Sequence, residues 1–207
     1  MRDTSCCNTR SHNEDVRRSL VQARNQIRAA GLAAMVGGVV YTAPGLLVGF
    51  RAPLFYVLLG VGAMAAIVAL HALQRRRYGL SGAVASVTTF VGMAMIVISG
   101  PVGAVGLAME GSAIILFLLG LLAAFVGMLA LGAVTLGARV LPFWCGAALM
   151  VGGFGFMVEL AGDWIIGASG TGYFNALVLV TGIPWVVVGY AVFRAGTRQT
   201  QQPLRVR

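Results

Sequence analysis

The sequence predicts an all-α membrane protein, a polytopic bundle of six transmembrane helices. Three observations carry that reading. First, hydrophobic residues make up 58% of the 207-residue chain and charged residues only 10%, against the roughly 25% charged residues of a water-facing domain. Second, six stretches match the about 20 apolar residues that cross about 30 Å of hydrocarbon. Third, the arginines gather on one side of those stretches, as the positive-inside tendency requires.

The chain opens with an arm over residues 1–28. Ser11 and Glu14 have capping-box spacing. Val16, Leu20, Ala23 and Ile27 then fall on one helical face, with Arg17, Arg18, Arg24 and Arg28 off it. This pattern predicts a basic amphipathic helix lying on the inner leaflet among anionic lipids. A plain topology anchor would have the same composition. The arm has no apolar core, so no cleaved signal peptide is expected. Cys6, Cys7 and His12 lack a fourth ligand, and no metal site or cofactor is expected there. No disulfide is expected on this reducing side.

The spans are expected at Ala29–Phe50, Leu54–Leu73, Leu80–Gly100, Ala113–Ala138, Phe143–Leu160 and Phe174–Phe193. They fill residues 29–193 and leave no room for a second domain. Pro101 should end or kink the third span, leaving Val102–Met109 as an apolar outer loop or a re-entrant piece. Pro184 should kink the sixth. Residues 194–207 form a basic tail.

The spans also read as three hairpins with a period near 60 residues. Leu58-Leu59-Gly60 recurs as Leu118-Leu119-Gly120 and loosely as Val180-Thr181-Gly182. Met35-Val36-Gly37-Gly38 recurs as Phe90-Val91-Gly92-Met93 and Met150-Val151-Gly152-Gly153. Every first helix starts inside, so the repeats are parallel. Many of the 29 glycines have small-xxx-small spacing, which lets backbones approach closely in lipid.

Orientation follows. All 15 basic residues are arginine. With six spans, fourteen share one side and only Arg51 lies opposite. Both termini should therefore be cytoplasmic, in a bacterial plasma (inner) membrane. The net charge of +9 is explained by topology, so no nucleic-acid partner is expected. The absence of lysine excludes Schiff-base chemistry and a phosphate-loop lysine.

Polar groups at membrane depth are the candidate sites. Glu110, Glu159, Asp163 and Arg51 all belong near outer span ends. Glu159 and Asp163 are four apart and share a face if the helix continues. They could bind a cation or share a proton, or Arg51 could neutralise them. Pro184 could open a transport site or merely bend a helix. Ser86, Thr88, Thr89 and Ser99 suit bonds to backbone carbonyls. His71 suits an interfacial anchor.

Gly167-Ala168-Ser169-Gly170 is similar to the Gly-x-Ser-Gly motif of rhomboid intramembrane proteases. That chemistry needs a histidine on the last helix, and none follows His71. Leu141-Pro142-Phe143-Trp144-Cys145-Gly146, followed by Leu149, resembles the L-P-x-W-x-G-x-x-L stretch of small, uncharacterised six-helix membrane proteins of bacteria. Phe143 stands where those proteins commonly carry arginine. The resemblance covers about 15 residues and implies no activity. The three-hairpin layout is also similar to the six-helix acid-resistance membrane protein family.

The expected function is therefore that of a non-enzymatic membrane protein. It would be an accessory or stress-related component, with a second copy or another membrane protein as partner. The alternative is a small transporter or channel with an acidic outer vestibule.

Overall fold

A computed structural model describes residues 5–48, 53–104, 111–161 and 171–198, with side chains over 16–43, 57–99, 115–158 and 179–197. The described elements are all helices: α1 Ser5–Val48, α2 Pro53–Ala104, α3 Gly111–Ala138, α4 Phe143–Ala161 and α5 Thr171–Arg198. No strand occurs among the described residues.

α2 contains two helices. Gly79 interrupts it with φ 57° and ψ −145°, a backbone state that residues with a Cβ reach only at considerable cost. The chain reverses at this point. A side chain added at Gly60 would meet Val97 and the Met93 carbonyl, which lie about as far beyond Gly79 as Gly60 lies before it. With α2 counted as two halves, the described chain has six helical segments.

Successive segments pack side by side, and α5 returns to α1 to close a ring. The contacts centre on glycine. Gly31 of α1 faces Gly189 of α5, and Gly38 faces Gly182. Gly37 meets Leu58 of α2, and Gly62 meets Ala33. In the second half of α2, Gly92 meets Gly120 of α3, while Gly127 meets Thr89. Gly132 of α3 faces Gly146 of α4, and Gly153 faces Phe125. Gly155 and Gly152 of α4 face Val180 and Pro184 of α5. In every pair the residue number rises on one helix as it falls on the other, so all these neighbours are antiparallel. The approach is close. A Cβ at Gly31 would lie 2.6 Å from the Phe193 nitrogen and 2.7 Å from the Gly189 carbonyl oxygen. Backbone cannot yield there, so only glycine permits the crossing.

The inner faces repeat at helical spacing. The bundle interior takes Ala63, Ile67, Leu70 and Gln74, then Thr89, Met93 and Ile96, from the two halves of α2. It takes Ala124, Met128, Leu131 and Thr135 from α3, Cys145, Leu149 and Phe156 from α4, and Thr181, Trp185, Val188 and Val192 from α5. All are 2% exposed or less. The outside is apolar as well: Val36, Val39, Val68, Val87, Ile98, Leu119, Phe154 and Ile183 are exposed. A water-facing surface would not present so many large apolar groups together.

Three described stretches are long and apolar enough to cross a membrane: Val57–Ser99, Ile115–Ala138 and Leu179–Thr197. Phe143–Val158 is a shorter apolar helix. Six separate spans were expected, and among the described residues three stretches qualify. One of them runs for 43 residues, because the Gly79 reversal lies within it. α1 carries Arg17, Arg18, Arg24 and Arg28 in the first half of its described side chains.

Other expectations need adjustment. The helix starts at Ser5, ahead of the Ser11–Glu14 capping box, which therefore does not mark its beginning. The amphipathic arm is continuous with the first segment, because Arg24 to Ala30 are helix-compatible residues with neither glycine nor proline between them. Val16, Leu20 and Val21 are exposed along it. Pro101 does not end its helix, which continues to Ala104. A proline costs a helix one hydrogen bond but need not end it. Residues 105–109 of the expected outer loop lie outside the described residues.

Candidate functional site

The outer carboxylate cluster expected from the sequence lies beyond description. Arg51, Glu110 and Asp163 fall outside the described residues. Glu159 lies in the last turn of α4, and its side chain is outside them too. The Gly167–Gly170 segment with Ser169 is likewise outside. Cys6, Cys7 and His12 are on the α1 backbone with side chains not described. Among the described residues, no group of three or more His, Cys, Asp or Glu side chains could hold a metal.

Pro184 is inside α5 and buried. Its ring lies against the bare backbone of Gly152, where a Cβ would approach within 3.1 Å. The proline has no N–H, so it leaves the Val180 carbonyl without its helical donor. Gly155 of α4 faces that residue. Close packing of glycine on proline thus accommodates the irregular turn. One turn apart on this helix, Thr181 Oγ1 and Trp185 Nε1 are buried without a hydrogen-bond partner.

Of the remaining interior polar groups, most lie toward the arginine-rich end and Ser99 lies at the other. Ser86 donates to the Gly82 carbonyl at 2.8 Å, Thr89 to Ala85 at 2.7 Å and Ser99 to Met95 at 2.7 Å. These are the backbone bonds expected for hydroxyls in an apolar helix. Gln74, from the end of the first half of α2, is fully buried. Its Oε1 accepts from Thr135 of α3 at 3.3 Å, while its Nε2 has no partner.

A second cluster brackets Gly79. Tyr78 Oη lies 3.0 Å from His71 Nδ1 and 3.3 Å from Ser86 Oγ. One proton assignment satisfies every group. His71 Nδ1–H donates to Tyr78, Tyr78 donates to Ser86, and Ser86 donates to Gly82. The chain ties both halves of α2 across their reversal. Gly82 is bare where the Tyr78 ring lies. His71, expected as an interfacial anchor, is bonded to Tyr78 further along the same helix.

Most of the Leu141–Leu149 stretch packs against neighbours, while Phe143 is exposed. Leu141 and Leu149 are buried. The Pro142 carbonyl accepts from Cys145 N at 3.0 Å to start α4. Trp144 stacks on Tyr190 of α5 with centroids 6.4 Å apart, and Gly146 meets Gly132. Arg139, just before, adopts φ 52°. Sequence reasoning passed over Gln74, Thr135 and Trp185. Gln74 carried the one visible signal, a polar residue that the helical spacing of Ile67 and Leu70 places on the buried face.

No family model, curated protein or solved structure matches this chain.

Proposed function

We propose that the chain is a six-span protein of the bacterial inner membrane with both termini cytoplasmic. In this reading three parallel hairpins surround a quasi-threefold axis. The glycine contacts support it. Gly37 faces its own hairpin partner while Gly38 faces the segment on its other side. Gly153 faces α3 while Gly152 meets Pro184 of α5 as well as Met128, and in the middle hairpin Gly92 faces α3 while the Met93 carbonyl lies toward Gly60.

The protein acts without catalysis, as an accessory or interaction component of the membrane. The observation that carries this reading is the filled interior. Trp185, Phe156, Met93, Met128, Ile67, Leu70 and Leu149 occupy it with almost no exposure. A solute path along the bundle axis would have to displace them. Interaction would then use the outer surface. Proteoliposomes offer the test. The reconstituted protein should pass neither monovalent cations nor protons under an imposed gradient, while mild cross-linking in native membranes should trap it with a second copy or another membrane protein. Gradient-driven flux abolished by Glu159→Gln or Asp163→Asn would overturn this reading in favour of the transporter with an acidic outer vestibule.

A further inference from the structure

We propose that the seam of α1, α5 and α4, at its arginine-rich end, is a binding site for one anionic phospholipid. The inference rests on the membrane orientation given above and deepens it. Diffuse attraction of the arm to the inner leaflet becomes a defined site.

A groove of about 450 Å³ is lined by Met35 of α1, Trp144 of α4 and Val186, Val187 and Tyr190 of α5. It opens on the outside of the bundle, where Tyr190 is about half exposed. Its floor is apolar and one wall is the Trp144–Tyr190 stack. Such a channel suits an acyl chain, and aromatic rings with one polar edge belong at the headgroup boundary.

Charge decides what kind of lipid. Arg194 follows Tyr190 by one turn on the same face of α5 and is exposed. Arg28 precedes Met35 by two turns on the same face of α1. The register of the seam sets Met35 beside Gly189 and Arg28 beside Gly196. Both arginines therefore stem from the same end of the groove, roughly 6–10 Å beyond its apolar floor by helical rise. Arg28 is held in place, its Cζ 5.3 Å from the centre of the Phe193 ring. Two guanidinium forks above a greasy slot match a phosphate above an acyl chain. A zwitterionic lipid also offers a phosphate, but its own ammonium offsets that charge, so two arginines favour a headgroup of net negative charge.

The test uses the full chain, delipidated in detergent, with dioleoyl phosphatidylglycerol or dioleoyl phosphatidylcholine added back. Phosphatidylglycerol should raise the melting temperature on the order of 5 °C more than phosphatidylcholine, and native mass spectrometry should show one retained phosphatidylglycerol. Arg28→Gln with Arg194→Gln should abolish the preference. Val187→Trp, which fills the groove, should abolish retention, and Tyr190→Leu is the milder second variant should the tryptophan prevent folding. Arg17→Gln with Arg18→Gln, on the arm, should change neither. Equal stabilisation by the two lipids overturns the proposal. So does a preference that survives groove filling and disappears with the arm variant, since the arm alone would then be responsible. Cross-linking of a cysteine at position 190 to a second copy, in place of lipid retention, overturns it as well. The orientation is checked separately. A membrane-impermeant maleimide should label Cys6 and Cys7 only after spheroplasts are permeabilised, and labelling without permeabilisation sinks the orientation whatever the lipid result.

Discussion

The bundle has two described reversals at its arginine-rich end, and they solve the same problem with different residues. At Gly79 the chain turns with φ 57° and ψ −145°. Between α3 and α4 it turns through Arg139 at φ 52°. Both backbones enter positive φ, but the first combines it with a ψ that essentially only glycine adopts, while the second holds a residue with a Cβ. The Gly79 turn is also tied by side chains, the His71–Tyr78–Ser86 chain. After the Arg139 turn the backbone bond from Cys145 N to the Pro142 carbonyl starts α4. A turn whose geometry excludes other residues must keep its glycine. The second turn tolerates a Cβ at positive φ, since it carries an arginine.

The largest effect should come from the strict turn. A Cβ at Gly79 would meet nothing within 4 Å, so Gly79→Ala tests conformation alone. It should cost about 2 kcal/mol, lowering the melting temperature in detergent by roughly 4–8 °C. Gly79→Asn should be no better, since asparagine favours the left-handed region near ψ +45° rather than this one. A neutral alanine variant would show that the turn relaxes and that the contrast with Arg139 is empty.

Tyr78→Phe comes next. It keeps the ring against Gly82 and removes the hydroxyl between His71 and Ser86. Hydrogen bonds between membrane helices average about 0.6 kcal/mol, so losing this link should cost about 1 kcal/mol. Proteolysis near the turn should accelerate accordingly. If Tyr78→Phe is silent while Gly79→Ala is severe, backbone geometry alone holds the reversal.

How much of this was legible in the sequence depends on where the cause of each feature lies. The helices and their glycine seams were readable, because apolar length and small-residue spacing are local properties of the chain. The Gly79 turn was only half readable. Gln74 and Arg75 to Arg77 look like a solvated loop, yet the helix continues through Tyr78. Gln74 is buried because Thr135, 61 residues away, supplies a partner, and no local pattern encodes that meeting. A kink was expected at Pro184, but the orphaned indole of the neighbouring Trp185 depends on what the other helices place opposite it. Of the candidate site, only Pro184 falls on a described side chain. The four outer charged residues lie outside them, so their convergence is unaddressed by the described fold.

A smaller effect of opposite sign is expected at the looser turn. Arg139→Gly removes the strain of a left-handed non-glycine residue, but it also frees the unfolded chain. The balance should be a stabilisation below about 1 kcal/mol, against no gain for Arg139→Ala, which keeps the Cβ. Chemical denaturation of both variants would separate them. A glycine variant less stable than alanine would mean that the arginine side chain, and not its backbone, holds this turn.

The smallest effect joins the two turns. Gln74 lies five residues before Gly79 and Thr135 lies four before Arg139, and their bond crosses from one hairpin end to the other. The bond is half satisfied, because Gln74 Nε2 stays buried without a partner. Losing one acceptor contact while removing one unsatisfied donor nearly cancels, so Gln74→Met should change stability by less than about 0.5 kcal/mol. Thr135→Val, which orphans the rest of the amide, should cost more. A double-mutant cycle should return a coupling near 0.6 kcal/mol. If Gln74→Met instead costs as much as Gly79→Ala, the amide nitrogen has a partner of its own, and the two turns are held as one unit by a buried polar network rather than separately by their backbones.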